Sequence, residues 1–466
     1  MGTPPSTPSA RIAAGVRQPG TWVLLALVLF GGLLVGLHVH RYTQISPIDE
    51  LQHIDYMYKV QDGHLVPAGD KYGQDAMREE ACRGIDAAFG PLPACHSKVF
   101  HPADFQEAGY NTAYIHPPTY YAIEGTIGWA LQQVTGADSL VTTARLVGAL
   151  WLAIFTVCMW FLMDDFEIPL LARASVIVLV LTAPTVLHAS STIQPDGTAL
   201  AAGAAMVLAT VRWEKGRWHW LVPALVGAAA VSLKITNGLV VGLCVLYLLL
   251  RYAEERLEER RRTSDETESV GEPSAVSVRT RVINVAFIVG AVVIAALAWS
   301  VLQRMIQKFP GTNLPTNKIY EVSRFPFHPF FDSLGAGLSP LQHPYLPALT
   351  TTRTVTRAWP IVNAALIAGT IIGAVWAGRG SRLRALGGAA LFAMFIVGPV
   401  FTLTDYKFFG VYYPGGIAPR YGLSIVPAAA LVASLCLARS RWLRYGAAAF
   451  AAWVAVITVI ALAGVY

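Results

Sequence analysis

The chain has 466 residues, of which 54% are hydrophobic and 14% charged, and its apolar residues are gathered into long runs. This composition is typical of a polytopic membrane protein and excludes the scattered apolar spacing of a water-soluble globular domain. The net charge of +6 is typical of basic cytoplasmic loops that orient membrane helices. It gives no reason to expect a nucleic acid as a partner.

Twelve apolar runs are candidates for membrane helices, because about 20 apolar residues span the hydrocarbon core as a helix. Lipid cannot satisfy an open backbone, so the predicted fold is an all-α helical bundle. The runs cover residues 21–39, 117–135, 143–163, 170–188, 195–211, 219–233, 236–251, 281–303, 360–377, 385–403, 420–438 and 445–463.

The first run is predicted to be a retained membrane anchor that follows a cytoplasmic tail, residues 1–20. Arginines precede this run, and no small-residue cleavage site follows it. The remaining runs are oriented by basic connectors, which favour the cytoplasmic side of a membrane. These connectors are residues 212–219, 251–274, 378–384 and 438–444.

Counting sides outward from the basic connectors assigns the polar loops to the two faces of the membrane. The segment 251–280 is expected to be a cytoplasmic loop. The short turns at 188–197 and 232–237 are expected to face outside. The three longer outer loops are then residues 40–116, 304–359 and 404–419.

The run 117–135 begins and ends on the same outer side in this arrangement, so it is expected to be a re-entrant or interfacial helix. Its two prolines fit the first turn of a helix, where a missing N–H group costs least. We therefore expect eleven spanning helices in one transmembrane domain, residues 21–466, or twelve if this run also crosses.

The segment QISPIDELQHIDYMYKV, residues 44–60, follows the anchor directly and carries two adjacent carboxylates, Asp49 and Glu50. Its Ser-Pro pair is typical of the start of a helix. Such a helix places His53 on the face of Asp49, whereas Glu50 points about 100° away. The two acids are either functional or cap the helix, whose dipole favours carboxylates in the first turn.

Two cysteines, Cys82 and Cys95, share the first outer loop, whereas the other three cysteines lie inside apolar runs. An oxidising compartment would favour a disulfide between these two. Closing a loop of this length contributes roughly 3 kcal/mol in the chain-entropy model.

Three further ionisable residues are expected at the outer ends of membrane helices: Asp196, Lys234 and Arg420. Asp196 either caps the following helix or takes part in a site. Lys234 either snorkels to the surface or is functional, as ionisable residues at this depth often are. Arg420 either anchors a helix end or binds a phosphate through both arms of its guanidinium.

Several motifs of other enzyme classes are missing from the sequence. It has no G-x-x-x-x-G-K-[ST] stretch, no G-x-G-x-x-G after a strand and no C-x-x-C. Neither a nucleotide-driven enzyme nor a soluble sugar-nucleotide domain is therefore expected. The apolar runs also lack the charged residues that a proton-coupled transporter usually needs.

Short motifs in a fixed order make the chain resemble the GT-C superfamily of polytopic membrane glycosyltransferases. More narrowly, the chain is similar to a bacterial family of predicted membrane proteins. The motifs are SPIDELQH after the first helix, HPPTYY at the end of the first outer loop, ARLVGALWLAIFTV, PDGTALAAGAAM and PRYGLSIVPAAALV.

The resemblance implies a GT-C-like helical bundle in a bacterial plasma membrane, with an active site on the extracytoplasmic face. Such enzymes move a sugar from a polyprenyl phosphate to a glycan, lipid or protein acceptor. Asp49 is then the catalytic base or a ligand of a divalent ion such as Mg²⁺ or Mn²⁺, and Glu50 is its neighbour in the same role. The metal requirement stays open.

Other expected roles follow from the chemistry of transfer. Lys234 or Arg420 would stabilise the charge that develops on the departing phosphate. Substrate-binding roles are expected for His53, His116, Tyr120, Asp196 and Tyr421. Two alternatives remain: a transporter or flippase of lipid-linked sugar or polysaccharide intermediates, and a non-catalytic membrane assembly subunit.

Overall fold

The computed structural model describes residues 19–85, 91–262, 277–308, 315–342, 353–413 and 418–464. Residues 1–18 of the expected N-terminal tail lie outside the described residues, as do residues 263–276 of the expected cytoplasmic loop. The expected outer loops 304–359 and 404–419 are described in part.

The protein is all-α: the described residues form α-helices and short 3-10 turns, and no β-strand occurs among them. The first half of the chain contains α1 (Pro19–Arg41), α2 (Glu50–Gln61), α3 (Gln74–Arg83), α4 (Thr119–Thr135), α5 (Leu140–Asp164), α6 (Leu170–Leu181), α7 (Pro184–Ser191), α8 (Ala199–Glu214) and α9 (Leu221–Leu233). The second half contains α10 (Gly238–Arg262), α11 (Val278–Ile306), α12 (Phe327–Asp332), α13 (Arg353–Ala377), α14 (Arg382–Thr404), α15 (Val426–Arg439) and α16 (Arg441–Ala463).

Eight helices in the described part of the chain are long and apolar enough to cross a membrane, which confirms a polytopic membrane protein. The number becomes nine if α6 and α7, which meet at a bend of 64°, form one span. The expected eleven spanning helices also include α8 and α9, which are shorter than the helices in this count. Three of the apolar runs form the shorter helices α4, α8 and α9, which have 17, 16 and 13 residues.

The short length of α8 has a physical cause in its surroundings. Nearly all of its residues are buried against other helices, so the thickness of the lipid does not set its length. It begins after the 3-10 turn Pro195–Thr198 and ends at the buried Glu214. A helix that is enclosed by protein can therefore be shorter than one that faces lipid.

The first outer loop folds around a hydrophobic core of its own. Ile54, Tyr56, Met77 and Phe100 are buried together there. A disulfide joins Cys82 to Cys95 in this loop.

Helix α4 lies along this outer-loop body rather than across the bundle. Near its start, the Tyr56 hydroxyl donates a hydrogen bond to the carbonyl oxygen of His116. Beyond its end, the Ser139 hydroxyl donates to Glu79 of α3 at 2.9 Å. Both ends of α4 therefore contact the same side of the protein, as expected of an interfacial helix.

Charged side chains mark the opposite end of the bundle. Glu214, at the end of α8, is buried beside Arg251 of α10 at 3.1 Å and Arg382 of α14 at 3.3 Å. The described parts of the basic connectors lie at this end, which is the end that the positive-inside rule favours for the cytoplasm. Asp196 and Lys234 lie at the other end of α8 and α10, beneath the first outer loop.

Candidate functional site

A cavity of about 610 Å³ lies between the first outer loop and the adjoining ends of the membrane helices. It collects polar residues from four distant parts of the chain. Those expected from the sequence that line it are Asp49, His53, His116, Asp196, Lys234, Arg420 and Tyr421.

Asp49 precedes the first residue of α2 and has a left-handed backbone conformation, with φ 61° and ψ 3°. Few residues other than glycine adopt this conformation, although aspartate and asparagine tolerate it better than most. The Asp49 side chain makes no capping hydrogen bond to the helix. It is 48% exposed and faces the cavity, so capping does not account for this carboxylate.

Arg420 connects Asp49 to a second carboxylate. Its terminal nitrogen donates to Asp49 Oδ2 at 2.6 Å, and its Nε lies 3.5 Å from Asp196 Oδ2. The other oxygen of Asp196 is 2.5 Å from the ammonium nitrogen of Lys234. Two carboxylates and two cations thus alternate along one wall of the cavity.

The opposite charges in this wall stabilise one another's ionised forms. Burial by itself would raise the pKa of Asp196, but Lys234 and Arg420 outweigh it and hold that pKa well below its usual range. Burial lowers the pKa of Lys234, and the nearby Asp196 opposes that change. Lys234 is buried and paired, so its side chain does not snorkel to the surface.

Glu50 was expected beside Asp49 as a second catalytic or metal-binding carboxylate, and its contacts indicate a structural role instead. It is fully buried and does not line the cavity. Both of its oxygens lie 2.7 Å from nitrogens of Arg145. They also accept from the backbone N–H groups of Ser46 and Ile193. Glu50 therefore ties α2 to α5 and to the turn that carries Asp196.

Two histidines face the cavity opposite the charged wall. Their rings are 5.5 Å apart, and His53 Nδ1 is 2.7 Å from the hydroxyl of Tyr121. Burial holds the pKa of His53 well below its usual range, and burial together with Lys234 lowers that of His116 to about 3. Both rings are therefore neutral and offer one donor and one acceptor nitrogen each.

Tyr120 was expected to line the substrate groove, but the structure places it elsewhere. Tyr120 is buried and does not border the cavity. Its neighbour Tyr121 contacts His53 and stacks on Tyr56 with ring centroids 4.1 Å apart. The two tyrosines are adjacent in a helix, so only the observed helix rotation distinguishes them.

Aromatic side chains form the remaining wall. The Tyr421 ring stacks on Phe401 with centroids 4.4 Å apart, and Lys234 Nζ lies 5.0 Å from the centre of the Tyr421 ring. Tyr412 and Tyr413, which belong to the outer loop 404–419, also line the cavity. Flat aromatic faces next to charged groups suit the binding of a sugar attached to a phosphate.

The candidate metal ligands do not form a metal site. Among the described residues, no group of three histidine, cysteine, aspartate or glutamate side chains is arranged to hold a metal ion. Three carboxylates at or beside the cavity are paired with cations: Asp49 with Arg420, Glu50 with Arg145 and Asp196 with Lys234. These three carboxylates are therefore engaged by cations of the protein itself.

Comparison with known proteins gives the family of the chain. No curated protein and no solved structure matches it significantly. Residues 39–428 match the family described as "Predicted membrane protein (DUF2142)". This match covers most of the chain and includes every residue of the cavity wall described above. The protein therefore belongs to this family of membrane proteins.

Proposed function

We propose that the protein is a glycosyltransferase that moves a sugar from a polyprenyl-phosphate donor to a glycan, lipid or protein acceptor. The observation that carries the proposal is the contact between the cavity-facing carboxylate of Asp49 and Arg420, which shares Asp196 with Lys234. A transferase of this kind needs a base for the acceptor and cations for the phosphate, side by side. This wall provides both.

The chemistry assigns a role to each group. The acceptor hydroxyl oxygen attacks the anomeric carbon, and Asp49 takes the proton of that hydroxyl. The bond between the anomeric carbon and the phosphate oxygen breaks, and the phosphate keeps the electron pair. Arg420 and Lys234 stabilise the resulting negative charge. The products are the glycoside and the polyprenyl phosphate.

The neutral histidines and the aromatic wall suit the uncharged parts of the substrates. His53 and His116 offer hydrogen bonds to hydroxyl groups of a sugar or acceptor. Tyr421 presents an aromatic surface beside both cations, where a sugar linked to the bound phosphate would stack.

The proposed reaction takes place on the extracytoplasmic face of a bacterial plasma membrane. The cavity lies at the end of the bundle opposite Glu214, Arg251 and the basic connectors. The disulfide between Cys82 and Cys95 lies on the same side as the cavity and is favoured by an oxidising compartment.

The proposal is tested by substituting Asp49 and measuring sugar transfer. Membranes that contain the Asp49→Asn variant are given a panel of polyprenyl-phosphate sugars, and envelope glycans are compared by mass spectrometry. We expect the transfer rate to fall by about 100- to 10,000-fold, the range for loss of a general base. Asp75→Asn is the matched control, because Asp75 is an exposed carboxylate of the same loop.

The outcome also separates an enzyme from a carrier of lipid-linked intermediates. A carrier only moves a glycan that another enzyme has already assembled on the cytoplasmic side. Cells with the Asp49→Asn variant of a carrier would therefore still make that glycan. Full transfer activity in a folded and inserted Asp49→Asn variant would rule out Asp49 as the base.

A further inference from the structure

The segment Phe327–Leu341, which follows α11 in the chain, packs against α14 at a level inside the membrane. The buried contact between Glu214 and Arg382 gives a common starting level for α8 and α14 at the basic end of the bundle. From Arg382, helix α14 rises about 1.5 Å for each residue. Phe395 is therefore about 20 Å above this level, within a hydrocarbon core of about 30 Å.

The segment reaches this depth by direct contact with α14. The backbone N–H of Gly335 donates to the carbonyl oxygen of Phe395 at 2.9 Å. Gly337 lies so close to Met394 that a Cβ atom there would be 2.5 Å from the Met394 carbonyl oxygen. Gly398 likewise leaves room only for the backbone of Ser333. These glycines allow two backbones to touch where side chains would hold them apart.

The backbone of this segment is hydrogen-bonded, as non-helical chain at membrane depth must be. In addition to the bond of Gly335, the N–H of Ala336 donates to Ser333 and that of Leu338 to Gly335. The N–H of Leu341 donates to the side chain of Asn363 in α13 at 3.2 Å. The segment therefore meets the main physical condition for entering the bilayer.

Its two sides have different surroundings. Pro329, Asp332, Ser333 and Ala336 line the cavity. A stripe on the other side is formed by Phe327, Phe331 and Leu334, which are 68%, 60% and 37% exposed. These three residues are spaced by four and three positions, so they share one face of a helical turn.

The stripe continues the outward face of a membrane-spanning helix. Phe392 and Phe395 of α14 are exposed next to the segment, and α14 is one of the eight candidate spans. No described residue covers these two phenylalanines, so in a bilayer they face acyl chains. Acyl chains therefore also cover the adjoining stripe of Phe327, Phe331 and Leu334.

We propose that Phe327–Leu341 is a re-entrant element whose stripe of Phe327, Phe331 and Leu334 contacts the acyl chains of the outer leaflet. The element forms the partition, one chain segment thick, between the lipid and the cavity. This inference concerns the membrane surface of the protein and does not depend on the reaction proposed for the cavity.

Spin labelling tests the partition directly. A variant without Cys158, Cys244 and Cys436, with the Cys82–Cys95 disulfide intact, receives the single substitution Phe331→Cys and a nitroxide label. The labelled full-length protein is reconstituted into vesicles of phosphatidylethanolamine and phosphatidylglycerol. Power saturation then compares collisions with oxygen, which concentrates in hydrocarbon, and with a water-soluble nickel chelate.

Two reference positions calibrate the measurement. Phe392→Cys reports the lipid-facing surface of α14, and Val99→Cys reports an exposed position in the first outer loop. We expect the ratio of oxygen to nickel accessibility at Phe331 to match that at Phe392 and to exceed that at Val99 severalfold.

A ratio at Phe331 that matches Val99 would place the segment in water and overturn the proposal. Low accessibility to both reagents would also overturn it, because protein, such as a second copy of the chain, would then cover the stripe. Phe327→Cys provides the same measurement if the label at Phe331 disturbs folding.

Discussion

Arg420 donates a hydrogen bond of 2.6 Å to Asp49 across 371 positions of the chain. The contact joins the start of α2 in the first outer loop to the 3-10 turn before α15. It holds a carboxylate and a cation at one edge of the cavity. A phosphate that binds Arg420 competes with Asp49 for the same guanidinium, so donor binding would free the carboxylate to act as a base.

Arg420→Lys tests whether transfer requires a guanidinium, which can contact two carboxylates through separate nitrogens. Lysine has one nitrogen and cannot hold Asp49 and Asp196 from separate atoms. We expect kcat/KM for sugar transfer to fall by about 10- to 100-fold, the equivalent of one or two charge-assisted hydrogen bonds. Arg324→Lys, an exposed substitution in an outer loop, is the control and should leave kcat/KM unchanged.

The pair of Asp196 and Lys234 is expected to be coupled energetically. Removal of one member leaves a buried charge without its partner, so Asp196→Asn should lower the free energy of unfolding by about 3–5 kcal/mol. Lys234→Met in the same chain should restore part of that loss. Thermal unfolding of the two single variants and the double variant measures the coupling. Purely additive losses would contradict it.

Glu50→Gln separates a structural carboxylate from a catalytic one. Loss of the buried pair with Arg145 should lower the free energy of unfolding by about 3–5 kcal/mol. The folded fraction should keep most of its transfer rate, because Glu50 does not border the cavity. Asp75→Asn, which removes an exposed pair with Arg78, should cost less than about 1 kcal/mol. A large loss of transfer rate per folded molecule would show that Glu50 takes part in the reaction.

The buried His53 should make the protein less stable in mild acid. Its folded-state pKa lies well below the ordinary value of 6.5, so the unfolded chain binds the proton first. Stability is therefore complete above about pH 6.5 and declines below it, by at most about 1.4 kcal/mol for each pH unit. Unfolding temperatures between about pH 7.5 and pH 5 report this slope. A His53→Gln variant should show a shallower slope, and an unchanged slope would assign the effect to other groups.

The shared side of the charged residues could be predicted from the sequence, because basic connectors orient the helices between them. The alternation of cytoplasmic and outer loops predicts that Asp49, Asp196, Lys234 and Arg420 lie on the outer face of the membrane. The structure places all four in one wall of the cavity. Their pairing could not be predicted in the same way. Which cation meets which carboxylate depends on helix rotations and turns that leave no periodic pattern.

Neighbouring residues of the same type were the main source of error. Asp49 and Glu50 are adjacent, and only the position of Arg145, in α5, shows that Glu50 is held in the protein core. Tyr120 is likewise buried in the core and does not border the cavity. Enclosed helices such as α8 are as apolar as helices that face lipid, so the apolar runs do not distinguish the two kinds.

The alternation of two carboxylates with two cations gives the empty wall a formal charge of zero. A donor phosphodiester carries one negative charge, whereas the released monoester carries about −1.5 to −2 at neutral pH. When Asp49 takes the acceptor proton, the wall gains one positive charge at the moment the phosphate gains a negative one. In the proposed reaction, the wall would therefore hold the product more tightly than the donor until Asp49 returns its proton to water. Loss of that proton would favour release of the polyprenyl phosphate.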